Sequence, residues 1–161
     1  MTFSIETGRA AASAARARQA REILVRDQYA IRLAQLRPAE RLVSCEQGYV
    51  ASRLRADMRT VDTGDVLREW EFKLYAGHRA LGQIVTYLAL ARSELKLRPV
   101  RGVIAAFEFS SELVLANEMM NLNLELVTIP EWMRPVGGLP SRTPPVPIVS
   151  IPTLPIYKTI E

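Results

Sequence analysis

The sequence predicts an α/β fold, a mixed central sheet flanked by helices, and three observations predict it. Strand-length runs with alternating or continuous apolar character alternate with longer stretches of helical spacing. Two of the strands are joined by a tight Thr63-Gly64-Asp65 turn, whereas later ones are separated by a helix-length segment, so hairpin and crossover connections are both expected. At 161 residues, 48% of them hydrophobic, the chain is long and apolar enough for one domain with a real core.

The elements follow in order. Residues from about Thr7 to Leu36 contain no proline, are rich in alanine and read as a helix, with Ile23, Leu24, Ile31 and Ala34 as its apolar stripe; Pro38 stops it. Arg9, Arg16, Arg18, Arg21, Arg26, Arg32 and Arg37 occupy the rest of its surface, either as a solvated face or as a face for a phosphate backbone. Leu42 to Glu46 reads as a short strand broken by Gln47-Gly48, and Arg53 to Val61 as a second strand. Past the turn, Val66 to Tyr75 alternates: Val66, Trp70 and Phe72 on one face, with Arg68 as the exception, and Leu67, Glu69, Glu71 and Lys73 on the other. That is the pattern of a half-buried strand. His78 to Leu97 reads as a helix packing through Leu81, Ile84, Val85, Leu88, Ala89 and Leu95, and Pro99 ends it. Val100 to Phe109 is a buried strand, Ser110 or Ser111 caps a helix running to about Asn121, and Leu124 to Ile129 is the last strand.

Eight of the ten prolines fall between Pro130 and Pro155, so an extended tail is expected there. It is apolar for a tail, with Ile148, Val149, Ile151, Leu154, Ile156 and Tyr157, and is a candidate contact to its own domain or a second subunit. The division expected is an Arg-rich helical segment at 1–38, an α/β core at 39–130 and a Pro-rich tail at 131–161.

The formal net charge is +4, and 18 arginines stand against 3 lysines. Arginine suits bidentate phosphate contacts, so the balance fits a nucleic-acid partner. Cys45 is the only cysteine, which excludes an intrachain disulfide and fits a reducing, cytoplasmic compartment. No apolar run reaches the roughly 18 residues of a membrane span. The first residues lack the apolar core of a signal peptide, although they are Arg- and Ala-rich and acid-poor like a transit peptide.

The chemistry is concentrated between Asp57 and Tyr87. The hairpin brings Asp57 close to Glu71 and puts Lys73 on the face of Glu71. Two carboxylates beside an ammonium are what a Mg²⁺-dependent phosphodiesterase needs, because the carboxylates hold a hard cation that activates water and neutralises phosphate charge. Gln83 and Tyr87 lie four apart on one face of the following helix; Tyr87 is equally readable as a core-rim aromatic. His78 is the only histidine, so no His-ligated zinc site can form, and no Gly-rich phosphate loop is present.

Arg55-Ala56-Asp57, Glu71-Phe72-Lys73, Ala80 to Tyr87 and Val100-Arg101-Gly102-Val103-Ile104-Ala105 together resemble the PD-(D/E)xK nuclease superfamily, in its RecB-like and NucS-like branches. The resemblance covers about residues 50 to 130. It implies a restriction-endonuclease-like core that hydrolyses DNA phosphodiesters with Mg²⁺ or Mn²⁺. Asp57 and Glu71 would be metal ligands, joined by the main-chain carbonyl of Phe72, and Lys73 would orient water or stabilise phosphoryl charge. Gln83 would face the site, and Arg55, Arg59, Arg79 and Tyr87 would contact nucleic acid.

The sequence departs from that pattern in having Ala56 where proline is common before the aspartate. An acidic residue from the first helix would be Glu22 or Glu40, and Glu69 reads as a solvated edge charge. A domain this small is expected to work as a homodimer or higher oligomer, with the tail as a candidate contact. Its biology could be site-specific, mobile-element or repair cleavage. The alternative is a non-catalytic nucleic-acid-binding or assembly module that keeps the nuclease fold.

Overall fold

The computed structural model describes residues 3–135. Its five strands form one sheet in the order β1-β2-β3-β4-β5, with helices on both faces. The helix-strand order matches the one read from the sequence, and the α/β class with a mixed sheet is confirmed. The tail beyond residue 135, and the oligomer contact expected of it, lie outside the described residues.

Helix α1 (Phe3–Ile31) and the short α2 (Leu33–Leu36) are separated at Arg32. The face they bury is Val25, Tyr29 and Leu33, at the spacing of one helical stripe. The expected stripe was rotated from this: Ile31 is 63% exposed, and Ala34 and Ile23 also face solvent. Alanine and isoleucine at this density do not mark a face, whereas Tyr29 does, because its ring packs on Trp70 and Phe72 at centroid distances of 5.5 and 5.4 Å.

Strand β1 (Glu40–Tyr49) is longer than the segment expected at 42–46. It runs through Gln47-Gly48 by taking register irregularities at Leu42/Ser44 and Gly48/Tyr49, with Glu46 at φ 52°. Strands β2 (Ser52–Asp62) and β3 (Leu67–Ala76) are antiparallel, Met58 opposite Trp70 and Arg59 opposite Glu69. The turn between them is held by the Asp62 side chain, whose Oδ1 accepts from the Gly64 and Val66 amides at 2.8 and 3.0 Å.

Helix α1 covers one face of β3 and the helix that follows β3 covers the other, so the half-buried reading fails. Trp70 and Phe72 pack against α1, while Glu69 and Glu71 on the other face are 0% and 1% exposed. Helix α3 (His78–Leu95) crosses to β4 (Val100–Phe109), which is parallel to β3; α4 (Ser111–Met119) crosses to β5 (Glu125–Thr128). Ser110 caps α4, its Oγ accepting from the Leu113 amide at 3.2 Å.

Helix α3 buries Ala80, Ile84, Tyr87, Leu88 and Ala91. Val85 and Ala89, expected to pack, are exposed instead, and Tyr87 takes the core position. Gly102 lets α3 and β5 close on β4, since a Cβ there would stand 2.7 Å from Leu124 and 2.9 Å from Ile84. Beyond β5 a 3₁₀ turn at Glu131–Met133 buries Met133 in the α1 layer, so the packed chain continues past Pro130.

Candidate active site

The site forms where β2 and β3 part. Their ladder ends at Met58 opposite Trp70, which leaves the β3 amides that face β2 beyond it without a strand partner, while β4 stays paired along the other edge of β3. Carboxylates take them. Asp57 Oδ2 accepts from the Phe72 amide at 2.7 Å, and Glu22 Oε1, reaching in from α1, accepts from the Leu74 amide at 3.4 Å. The side chain of Phe72 points the other way, into the α1 core, and anchors this stretch of β3.

Lys73 is the ammonium of the cluster. Its Nζ forms an ion pair with Glu71 Oε1 and stands 3.6 Å from Glu22 Oε2. Glu71 and Glu22 therefore pair with one lysine, and Asp57, held by the Phe72 amide, feels its charge without pairing to it. Glu22 is the acid that α1 contributes. Glu40 is engaged elsewhere: it accepts from Thr60 Oγ1 at 2.7 Å and pairs with Arg37 and Arg68.

The electrostatics follow from burial and crowding. Burial, then the nearby Asp57 charge, pushes Glu71 up to about 7, against the pull of Lys73. Burial also raises Asp57 and Glu22 despite their amide bonds and Lys73. Burial alone would lower Lys73, but Glu71, Glu22 and Asp57 outweigh it and its pKa is raised, so it stays an ammonium. Glu71 Oε2 is buried and accepts no hydrogen bond.

A pocket of about 240 Å³ opens over this cluster. Asp57, Glu71 and Lys73 line it from the sheet, Gln83 and Tyr87 from α3, and Gln19, Glu22 and Arg26 from α1. An adjoining groove of about 550 Å³ shares Gln19, Glu22, Lys73 and Gln83 and continues past Arg18, Tyr75, His78 and Arg79.

The structure thus brings Asp57, Glu71, Lys73 and Gln83 together. Gln83 Nε2 donates to Tyr87 Oη at 3.4 Å. Arg55 is exposed at the pocket edge, 3.4 Å from Glu46, and Arg79 is exposed on the first turn of α3.

Three expectations are corrected. Arg59 is 8% exposed and pairs with Glu69, Nε to Oε1 at 2.7 Å, so its guanidinium is committed to the core and does not face a nucleic-acid backbone. Glu69 is therefore a sealed partner and not a solvated edge charge. Tyr87 is 4% exposed and its ring stacks on Tyr49 at 6.1 Å, leaving only its hydroxyl end at the pocket.

Arg26 was grouped with the surface arginines of α1, but it is 6% exposed, pairs with Glu46 at 3.0 Å and forms part of the site wall. Its position could have been found from Gln19, Glu22 and Arg26, which recur at helical spacing around the one acid in that stretch.

The donor set suits a hard divalent cation. Among the described residues no three carboxylate, imidazole or thiol side chains are placed to hold a metal by themselves. Two carboxylates with a main-chain carbonyl are enough for Mg²⁺, which binds through one or two carboxylates and keeps water in its remaining positions. The unpartnered oxygen of Glu71, facing an excess of negative charge beside an open pocket, fits that role.

No protein-family model matches the chain. No curated protein matches it either. Two solved structures share its fold. One is EndoMS in complex with double-stranded DNA, 17% identical, TM-score 0.55, over 64% of this chain and 41% of that one. The other is a repair endonuclease from Pyrococcus abyssi, 18% identical, TM-score 0.50, over 64% of this chain and 46% of that one. The chain spans less than half the length of either. The fold is that of these endonucleases.

Proposed function

We propose that the chain is a metal-dependent DNA endonuclease of the PD-(D/E)xK type, hydrolysing phosphodiester bonds at the Asp57–Glu71–Lys73 cluster. The observation that carries this reading is three carboxylates, two of them paired with one lysine, lining an open pocket. The likeness in fold to EndoMS and to a repair endonuclease supports it.

Asp57, Glu71 and the Phe72 carbonyl would hold Mg²⁺ or Mn²⁺. The chemistry such a cation supplies when bound is neutralisation of phosphate charge and a lowered pKa of its water. Lys73, kept protonated by its acidic neighbours, orients the attacking water and stabilises charge on the phosphoryl oxygens. Glu22 and Glu71 hold its ammonium in place from two sides. Gln83, bonded to Tyr87, is fixed at the pocket wall, where its amide positions the substrate. Arg55 and Arg79 flank the opening and suit contacts to the nucleic-acid backbone.

The test is cleavage of DNA by the wild type with Mg²⁺ or Mn²⁺, beside Glu71→Ala, Lys73→Ala and an EDTA control. Cleavage that is lost in both variants and in EDTA is expected. Duplex binding by the wild type in EDTA, with no cleavage of any substrate when metal is added, would instead favour a binding module that keeps the fold.

A further inference from the structure

A second groove, of about 450 Å³, lies at the end of the sheet opposite the carboxylate cluster. The C-terminal part of α3 and the start of β4 form it. Arg92, Lys96 and Arg98 line it with Arg101, over a floor that includes Leu88 and Leu122. None of the described residues lining it is acidic. Arg98 has an ion-pair partner in the exposed Asp65, and Arg92 Nη2 donates to the Val100 carbonyl at 3.3 Å. Cations in a last helical turn are stabilised by the carbonyl end of the helix, which accounts for Arg92 and Lys96. It does not account for Arg98 and Arg101, which follow the helix.

The surface between the two sites is equally informative. Arg79, Gly82, Thr86, Ala89, Ser93 and Lys96 succeed one another at spacings of three or four, so they share one face of α3, and all are exposed. Between the two cations this face carries only small, uncharged side chains. At about 1.5 Å per residue, Arg79 beside the carboxylate site and Lys96 at the second groove are about 25 Å apart along the helix. That is about seven base pairs of duplex at 3.4 Å each, less than one turn.

We propose that the groove around Lys96 and Arg98 binds the phosphate backbone of duplex DNA, and that α3 is the rail linking it to the cleavage site. This inference rests on the nuclease reading for its partner, but not on catalysis. An open groove rimmed by long cationic side chains suits the repeated phosphates of a polymer, which binds through many charge contacts of this kind. It assigns to the C-terminal end of α3 a share of the affinity, with no reading of bases.

The experiment is titration of a labelled duplex with the full chain in EDTA at several salt concentrations, so that cleavage cannot intervene. Lys96→Ala combined with Arg98→Ala removes two exposed charges and is expected to lower the salt slope by about 1.8, at about 0.9 per phosphate contact. Ala89→Glu, which places an acid midway along the rail, is expected to weaken binding several-fold. Arg41→Ala removes a charge from the outer edge strand and controls for net charge. Slopes and affinities unchanged in both groove variants, or lowered as much by Arg41→Ala, would overturn the proposal. So would a wild type that fails to retain duplex at low salt. Calorimetry with inorganic phosphate separates the sources: phosphate heat lost in the double variant, without a change in duplex slope, would assign the groove to a small anion and overturn the polymer reading. Cleavage by the wild type is scored separately and decides the nuclease reading alone.

Discussion

Arg59 and Glu69 face each other across β2 and β3, and one same-face step further along the same strands stand Asp57 and Glu71. Both glutamates are almost wholly buried, and each leaves one carboxylate oxygen without a hydrogen-bond partner. An unpartnered oxygen therefore does not distinguish them. Charge balance and access do. Glu69 has one arginine to itself and no opening to solvent, with Arg59 stacked over Tyr49 at 5.9 Å. Glu71 shares Lys73 with Glu22, has the Asp57 charge nearby and looks into a pocket. The ladder explains the difference in access: while β2 and β3 stay paired the space is closed, and where they part it opens. The same residue types are sealed into packing at one step and left open to a pocket at the next.

The largest expected effect breaks the sealed pair. Arg59→Ala leaves Glu69 buried and uncompensated, and is expected to cost about 3–5 kcal/mol, lowering the unfolding midpoint by on the order of 10 °C. Arg59→Met with Glu69→Leu removes both charges and is expected to restore most of that loss. Thermal unfolding of the single and double variants checks this; equal losses in both would mean that the pair does more than balance itself.

Next comes the open site. Lys73→Ala is expected to reduce cleavage by about 10²–10³-fold and to lower the unfolding midpoint by less than Arg59→Ala, because Glu71, already raised to about 7, takes up a proton when its cation is lost. A steady-state cleavage assay read beside thermal unfolding separates the two.

The pH dependence of stability sharpens the comparison further. Glu71 is raised from 4.5 to about 7 by burial and Asp57. Between those values the folded chain keeps a proton that the unfolded chain has released, so in EDTA stability is expected to fall as pH rises from about 4.5 to 7. The upper bound is on the order of 3 kcal/mol at 1.36 kcal/mol per unit. Denaturant unfolding at several pH values should show this slope in the wild type, flattened in Glu71→Gln.

The smallest effect is at Tyr87. Tyr87→Phe keeps the stack on Tyr49 and loses the bond from Gln83, at about 1 kcal/mol. Cleavage should fall by less than about tenfold, with KM affected as much as kcat if Gln83 only positions substrate.

Much of this was legible in the sequence. Thr63-Gly64-Asp65 announced the hairpin, and the hairpin put Asp57 beside Glu71 and Lys73. The order of elements followed from Pro38, Pro99 and the apolar run at Val100. What the sequence did not disclose was the third dimension of β3. Alternation looks the same whether the charged face meets water or a second helical layer, so Glu69 reads as solvated although it is buried beside Tyr49. Arg59 was misread for the same reason. In α1 the Ala-rich composition blurred the stripe, and only its contacts with the sheet single out Tyr29 and Arg26.

The most direct test of the contrast between the two pairs is Mn²⁺ binding by calorimetry. The wild type is expected to bind, Asp57→Ala and Glu71→Ala to lose that binding, and the Arg59→Met/Glu69→Leu double variant to keep it. A wild type that takes up no Mn²⁺, or an Asp57→Ala chain that binds it as tightly as the wild type, would contradict the assignment of chemistry to the open pair.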